Sequence, residues 1–401
     1  MPRSDNRGVA GEEMRRHNLG TILEQLHLTG PASRSELVAS TGLNRSTIAD
    51  LVGQLTDLGF VVEGPAPVAS GPGRPSLVVS THPQGASVLA VEVDVDSIAV
   101  ATLGLGGHVF NRLRVDRPRG RFSPDETIQD VAKLAAPLLS ALPDDRALVG
   151  VGVAVAGITR RPDGFVRLAP NLGWQDIPLG EMLAKVLDLN VPVRVANEAD
   201  LGALGEHRRG HHAQARNLIY ISGEVGIGAG VIVDGEPLLG AEGYAGEAGH
   251  TMINPGGVKC RCGSSGCWET EAGEAALVRR VRSLRGKTGA GLVEAVIAQA
   301  AARDPEILAA ITEVGTWLGL GIGNLINIFN PDLVVLGGLY SDLYAHLESP
   351  VVAGARRSAL VAPFEAASII RGALGGDAPL IGAAELALAG VLSDPAKPPA
   401  P

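Results

Sequence analysis

Apolar residues in the first thirty positions recur at the spacing of an α-helix. One helical face carries Leu19, Ile22, Leu23 and Leu26. Gly30-Pro31 follows them, and this pair stops a helix. The pattern therefore predicts a first helix that ends before Gly30.

Two shorter helical patterns come next, and each has its own start and stop signals. Ser33 and Glu36 form a capping box for the second helix, which ends at Gly42. Asn44 is the predicted N-cap of the third helix, and Gly59 ends it. The apolar stripe of the third helix consists of Ile48, Leu51, Val52, Leu55 and Leu58. Two short helices joined by a tight glycine turn predict a helix-turn-helix.

Two short strands, 60–62 and 77–79, flank a loop and complete a winged helix-turn-helix domain over residues 1–80. The predicted DNA contacts are Arg45, Ser46, Thr47 and Arg74. The first three begin the third helix and suit base edges and phosphates in a major groove. Arg74 lies at a thin Gly-Arg-Pro tip that suits a narrow minor groove.

The alternative is a winged helix that binds protein. The first 80 residues hold seven Arg and eight Asp or Glu, so the domain is not basic overall. The order of caps, turn and wing nevertheless favours DNA.

From about residue 84 the pattern changes to alternating buried strands and helices, which predicts an α/β fold of two lobes around a cleft. The predicted divisions are lobe 1 over 84–196 with a C-terminal helix at about 379–393, lobe 2 over 197–375, and a disordered tail over 394–401. Clefts of this kind bind small molecules.

Composition narrows the class of protein further. The net charge of −9 excludes a protein coated in basic patches, so any nucleic-acid contact must be local. The N-terminus has no apolar signal core, and no window holds 18 consecutive apolar residues. These features predict a cytoplasmic protein with reduced thiols and no membrane partner.

All three cysteines lie within eight positions of one segment, GEAGHTMINPGGVKCRCGSSGCWE. Together with the preceding histidine, the predicted metal ligands are His250, Cys260, Cys262 and Cys267. Three thiolates and one imidazole make a closed tetrahedral set for structural Zn²⁺, which leaves no position for a catalytic water. The alternative is three ordinary reduced thiols in a loop.

This segment resembles the ROK family of repressors and sugar kinases, which carries E-x-G-H followed by C-x-C-G-x-x-G-C-x-E. The resemblance extends over nearly all of the chain after residue 84. It implies an actin-like sugar-kinase fold, and the added winged helix is typical of the family's regulators. It also implies a sugar-binding set of Asn171, Asn197, Glu198, Glu247, His250 and Glu269. In the family the equivalent histidine contacts sugar, so His250 is expected to serve both metal and sugar.

Two departures from the family's kinases argue against catalysis, and no catalytic residue is predicted. Glu198 stands where the kinases have an aspartate base, which displaces the carboxylate by about 1 Å. The kinase phosphate loop D-x-G-G-T corresponds here to 92–96, EVDVD, which lacks both glycines and has extra carboxylates. A second loop keeps Gly226, Gly228 and Gly230 but has Val225 in place of a phosphate-binding threonine.

The sequence therefore predicts a regulator that binds an inverted-repeat operator as a homodimer or a dimer of dimers. A sugar in the cleft is expected to release the DNA, although activation could use the same parts. A sugar kinase with an accessory DNA-binding domain is the second hypothesis. A zinc sensor is the third, and the closed ligand set disfavours it.

Overall fold

The structure is a computed structural model, and it describes residues 5–65, 77–120, 122–143 and 148–397. Its α-helices are α1 (Asp5–Thr29), α2 (Arg34–Thr41), α3 (Arg45–Asp57), α4 (Pro124–Ser140), α5 (Leu179–Leu187), α6 (Glu198–Arg209), α7 (Trp268–Ala272), α8 (Glu274–Arg280), α9 (Gly289–Ala301), α10 (Pro305–Phe329), α11 (Leu339–Asp342), α12 (Tyr344–Ser358), α13 (Val361–Ala366) and α14 (Ala378–Ser393).

The β-strands form four sheets. They are β1 (Ala32–Ser33), β2 (Val61–Pro65), β3 (Leu77–Thr81), β4 (Ser87–Val93), β5 (Ser97–Gly104), β6 (Val109–Asp116), β7 (Leu148–Val155), β8 (Ile158–Arg160), β9 (Phe165–Ala169), β10 (Trp174–Ile177), β11 (Val193–Asn197), β12 (Leu218–Gly223), β13 (Ile227–Val233), β14 (Glu236–Pro237), β15 (Leu333–Gly338) and β16 (Ser368–Arg371).

The predicted winged helix-turn-helix is present, and its local signals act as expected. The Ser33 capping box and the Asn44 cap both form, and β2 pairs antiparallel with β3 to make the wing. The guanidinium of Arg34 donates to both carboxylate oxygens of Glu63, at 2.7 and 2.8 Å, and ties α2 to the wing. The prediction for Leu58 is wrong, because it follows the last turn of α3 and is 43% exposed.

Lobe 1 is built on a sheet of order β11-β7-β4-β5-β6, and lobe 2 on a sheet of order β14-β13-β12-β15-β16. Helices α4 and α5 cover the outer face of the first sheet, while α8, α9, α10 and α12 form the outer layer of the second. Between the lobes, α14 packs on the lobe 1 sheet and α6 on the lobe 2 sheet. The two-lobed α/β fold predicted from the sequence is confirmed.

The two central helices touch backbone to backbone. A Cβ on Gly382 would overlap the carbonyl oxygen of Leu201, and one on Gly205 would overlap that of Ala378. Glycine at these two positions therefore sets the distance between α6 and α14, and with it the distance between the lobes.

The DNA-binding domain packs directly on lobe 1 and shares its hydrophobic core. Leu19, Ile22, Leu23 and Leu26 of α1 are fully buried in one apolar cluster with residues of β4, β5 and α14. A Cβ on Gly20 would meet the carbonyl oxygen of Ser393, and Arg16 pairs with Asp394. Asp394, the first residue of the predicted disordered tail, is therefore held in place by α1. Residues 398–401 lie outside the described part of the chain.

Two helices are long and apolar enough to cross a membrane by length and composition, namely Pro305–Phe329 and Gly375–Ser393. The first contributes Ile307 to Ile326 to the lobe 2 core, and the second packs between the lobes. Their apolar faces are therefore used inside the fold.

Candidate functional site

The metal-ligand set predicted from the sequence comes together in a loop of lobe 2. The ligand atoms of His250, Cys260, Cys262 and Cys267 all lie within 4.8 Å of one another. The Sγ atoms of Cys262 and Cys267 are 3.6 Å apart, and Nδ1 of His250 is 3.7 Å from Sγ of Cys260. A tetrahedron with metal–sulfur bonds of about 2.3 Å has edges of about 3.8 Å, so the donor set fits Zn²⁺.

Glycine makes this convergence of sulfurs possible. Gly263 and Gly266 both have positive φ, 96° and 67°. A Cβ on Gly266 would also overlap the carbonyl oxygen of Asn254. The loop closes through bridges between Met252 and Cys267 and between Lys259 and Ser265.

The thiols differ in their electrostatic environment. Burial raises the pKa of Cys260 and of Cys267, whereas the backbone N–H of Ser264 lowers the pKa of the exposed Cys262. Buried thiolates therefore need a neighbouring cation, and a bound metal ion would supply it. The set is closed, so a metal here would hold the loop in shape and would not activate water.

His250 faces the cysteine cluster with one ring nitrogen and Glu247 with the other. Its Nδ1 lies 3.6 Å from a carboxylate oxygen of Glu269, and its Nε2 lies 3.9 Å from Glu247. Glu269 in turn approaches Sγ of Cys260 to 2.8 Å. Three of the predicted sugar-binding residues are thus brought together beside the metal ligands.

The two predicted asparagines already have partners. Asn197 caps α6, accepting from the backbone N–H of Ala199 at 2.7 Å, and its amide donates to the carbonyl of Gly157 at 2.9 Å. Asn171 accepts from Arg261 at 2.6 Å. Because Arg261 lies between two of the clustered cysteines, that contact joins the metal loop of lobe 2 to lobe 1.

Glu198, the first residue of α6, belongs to a group of carboxylates. Oxygens of Asp94, Glu198 and Glu224 lie within 4.8 Å of one another. Burial and the neighbouring charge of Asp94 raise the pKa of Glu198 and of Glu224 well above the usual range. A raised pKa favours the protonated carboxyl group, which can donate as well as accept a hydrogen bond.

Sequence reasoning missed Glu224 and a second buried pair near the same end of α6. Glu224 lies in the glycine-rich segment between β12 and β13, and the sequence pattern of that segment indicates a turn and gives no sign of a buried carboxylate. Arg161 and Asp200 approach to 3.8 Å, and burial raises the pKa of Asp200 to about 7 despite the opposing charge of Arg161. Glu224 is far in the chain from Asp94, and Arg161 is far from Asp200. No local sequence pattern therefore indicates either contact.

The segment that replaces the kinase phosphate loop forms the turn between β4 and β5, as the sequence predicted. Its carboxylates bind arginines, Glu92 to Arg114 at 2.6 Å and Asp96 to Arg119 at 3.1 Å. These residues line a cleft of about 310 Å³ that also includes Asp94 and Glu224. The cleft is strongly acidic, which opposes the binding of a nucleotide's phosphates.

The second glycine loop has a packing role. A Cβ on Gly228 or Gly230 would strike Ala199 of α6, and one on Gly226 would strike the carboxylate of Glu269. These glycines let β13 approach the helix and the acid, so they are no sign of a nucleotide site.

The predicted DNA contacts lie at the N-terminus of α3. Arg45 and Ser46 are exposed and Thr47 is half-buried. Ser46 donates to the side chain of Asn44 at 2.7 Å, while the exposed side chain of Arg45 makes no hydrogen bond to any described residue. Arg74 lies outside the described residues.

Comparison with known proteins agrees with this geometry. The family model described as ROK family matches residues 88–389. The xylose repressor of Caldicellulosiruptor bescii is 33% identical over 318 residues, which are 76% of this chain and 78% of that protein.

Two solved structures separate the family's regulators from its kinases. A ROK family transcriptional regulator, a homologue of the Escherichia coli MLC protein, superposes with a TM-score of 0.77 at 26% identity and covers 95% of this chain and 98% of its own. A ROK glucokinase from Streptomyces griseus, with glucose and AMPPNP, superposes with a TM-score of 0.63 at 26% identity and covers 75% of this chain and 98% of its own. The regulator matches nearly the whole chain, including the winged helix, whereas the glucokinase matches about three quarters of it.

Proposed function

Because the chain belongs to the ROK family, we propose that it is a transcriptional repressor whose operator binding is modulated by a neutral sugar in the cleft between its lobes. The observation that carries the proposal is the match to a ROK regulator over 95% of the chain, which takes in the winged helix as well as the lobes. The relatives named xylose repressors favour repression over activation.

Operator recognition would fall to α3 and the wing. Arg45 would reach a base edge or phosphate, Ser46 and Thr47 would contact phosphates, and Arg74 would enter the minor groove. A homodimer or a dimer of dimers would read two half-sites about one helical turn apart. The site of action is then the cytoplasm, where the operator lies.

The charges around the pocket favour a neutral sugar over a sugar phosphate. The carboxylates near the amino end of α6 and the metal loop are Asp94, Glu198, Asp200, Glu224, Glu247 and Glu269. Arg161 pairs with Asp200 among them, and Arg114 and Arg119 line the same cleft as Asp94 and Glu224, so carboxylates still outnumber the guanidinium groups. A carboxylate at about 4 Å would repel a phosphate charge by about 4 kcal/mol at an effective dielectric of 20. Sugar hydroxyls both donate and accept, which suits partly protonated carboxyl groups and the Nε2 of His250.

The His250–Cys260–Cys262–Cys267 cluster would hold a structural Zn²⁺. The ion would fix His250 and Glu269 relative to Glu247 and so preform one wall of the pocket. Asn171 would reach the sugar only when Arg261 releases it, whereas Asn197 would act chiefly by capping α6.

Fluorescence anisotropy on labelled DNA from upstream of the protein's own gene tests the proposal. D-xylose, D-glucose and D-glucose 6-phosphate are titrated into the complex. We expect one neutral sugar to release the DNA at sub-millimolar concentration and the phosphate to have no effect. Release by the phosphate alone would refute the charge argument, and binding that no sugar alters would refute sugar control.

A further inference from the structure

Two buried side chains and one partly buried side chain meet where the DNA-binding domain joins the lobes. His27 comes from α1, Arg209 from the last turn of α6, and Glu385 from the middle of α14. The His27 Nε2 lies 3.0 Å from Oε2 of Glu385, and the Arg209 Nε donates to Oε1 of Glu385 at 2.5 Å. We refer to these three residues as the junction.

Backbone groups fix the junction in one arrangement. The backbone N–H of Gly106 donates to Nδ1 of His27 at 2.9 Å, and the Nε2 of His27 lies against both the Glu385 carboxylate and a terminal nitrogen of Arg209. Arg209 also donates through a terminal nitrogen to the carbonyl oxygen of His27 at 2.7 Å. One guanidinium therefore holds both α1 and α14 at the end of α6.

The junction is an ionised centre that excludes water. Glu385 is 2% exposed, yet its pKa is lowered to about 2, because His27, Arg209 and Arg208 outweigh the opposing effect of burial. Arg208 adds contacts to Glu385 at 3.6 Å and to Glu24 of α1 at 3.2 Å. Moving one member without the others would leave a buried charge unpaired, which is strongly unfavourable.

Each member comes from a different helix, and the three helices link the DNA-binding domain, the lobe 1 sheet and the lobe 2 sheet. Helix α1 is part of the DNA-binding domain, α14 packs on the lobe 1 sheet, and α6 packs on the lobe 2 sheet. A rotation of one lobe against the other moves α6 relative to α14. Such a rotation must therefore rearrange the junction and the position of α1.

Helix α6 also reaches the candidate sugar pocket. Glu198 is its first residue and Arg209 its last, and residues 199–207 between them are buried. Twelve residues of helix span about 18 Å. Because α6 is packed on all sides, we expect it to move as one rigid helix, with the pocket at its first residue and the junction at its last.

We propose that Arg209 is a positioning residue that couples the sugar pocket to the DNA-binding domain. When α6 is displaced relative to α14, Arg209 changes the position of α1. The inference rests on the proposed function. A sugar that binds two lobe arrangements unequally would select one position of α6, and Arg209 would impose the matching position on α1.

Arg209→Lys tests this role without removing the charge. Lysine keeps a cation beside Glu385 but has a single nitrogen in place of the two separate guanidinium nitrogens that bind the Glu385 carboxylate and the His27 carbonyl. The matched control is Arg216→Lys, an exposed arginine of lobe 2 that pairs with Asp234 at 2.9 Å. The probe is D-xylose or D-glucose, whichever changes operator binding of the wild-type protein.

We expect the sugar-induced change in operator Kd to fall to less than about threefold in Arg209→Lys, from the 5- to 150-fold typical of coupled sites. The Kd for sugar and the Kd for operator without sugar should each stay within about threefold of wild type. A retained sugar effect would overturn the inference, and so would outright loss of sugar or operator binding. Should Arg209→Lys not fold, Arg208→Gln is measured against the same criteria.

A second measurement needs no sugar and separates this inference from the proposed function. Coupling is reciprocal, so operator DNA alone should alter amide hydrogen exchange in residues 240–250 of the wild-type protein. We expect Arg209→Lys to bind the operator without that change. A change that persists in the variant, or none in the wild type, would overturn the inference even if no tested sugar releases DNA.

Discussion

Cys262→Ser tests whether the cysteine cluster supports the sugar pocket. Cys262 is the exposed member, with its Sγ 3.6 Å from that of Cys267. Serine has nearly the same shape, so the loop loses a metal ligand without a cavity. Ser264→Ala in the same loop is the matched control, because it leaves the backbone N–H of residue 264 in place.

The expected loss of metal affinity is large. Structural Zn²⁺ sites of four ligands contribute about 10–16 kcal/mol at neutral pH. An equal share for one thiolate is about 2.5–4 kcal/mol, or on the order of a 10²- to 10³-fold weaker Kd. The effect on packing of an exposed Cys-to-Ser change should stay within about 0.5 kcal/mol.

Zinc content of the purified protein, measured by mass spectrometry after dialysis against a weak chelator, gives the first result. We expect about one ion per chain in wild type and in Ser264→Ala, and almost none in Cys262→Ser. Sugar release of operator DNA should disappear with the metal, since His250 and Glu269 lose their fixed positions. A variant that keeps its zinc would refute the four-ligand site. A zinc-free variant with a normal sugar response would refute the supporting role.

Three further predictions concern other parts of the molecule. Arg45→Ala should weaken operator binding by about 1–3 kcal/mol in anisotropy titrations and leave sugar binding unchanged, with Lys133→Ala as a distant control; equal loss of both activities would contradict the assignment. Arg261→Ala breaks the contact with Asn171 and frees that side chain for the sugar, so it should tighten sugar binding by up to about fivefold in calorimetry, whereas weaker binding would mean that the contact supports the pocket. The pKa of Glu385 is about 2 in the folded protein and near 4.5 when unfolded, so the carboxylate contributes stability above pH 4.5 that is lost as the pH falls towards 2. Urea unfolding should show a loss of up to about 3 kcal/mol over that range, and Glu385→Gln should flatten it; a variant with the wild-type slope would contradict the assignment.

Local signals explain why so much of the fold could be predicted. The Ser33 capping box, the Asn44 cap and the glycines that end α2 and α3 act within a few residues, and the structure contains each of them. The prediction for Leu58 was wrong because helical periodicity was extended one residue past the last turn, where tertiary packing decides burial.

The site was partly predictable for a related reason. The metal ligands lie within 18 residues of one chain segment, so their spacing carries the information. Asp94, Glu198 and Glu224 come from three separate segments, and only the closure of the two lobes brings them together. The junction is more remote still, since His27 and Glu385 are 358 residues apart. Such long-range pairs leave no periodic trace in a single sequence.

The apolar cluster shared by α1, the lobe 1 sheet and α14 has a consequence for how such proteins can be recombined. The winged helix is not a detachable module, because its first helix completes the surface on which it rests. A chimera that exchanged residues 1–80 alone would place a foreign first helix against α14 and would replace His27, the partner of Glu385. Exchange of DNA specificity in this architecture is therefore best made by grafting the face of α3 and the wing, with α1 left in place.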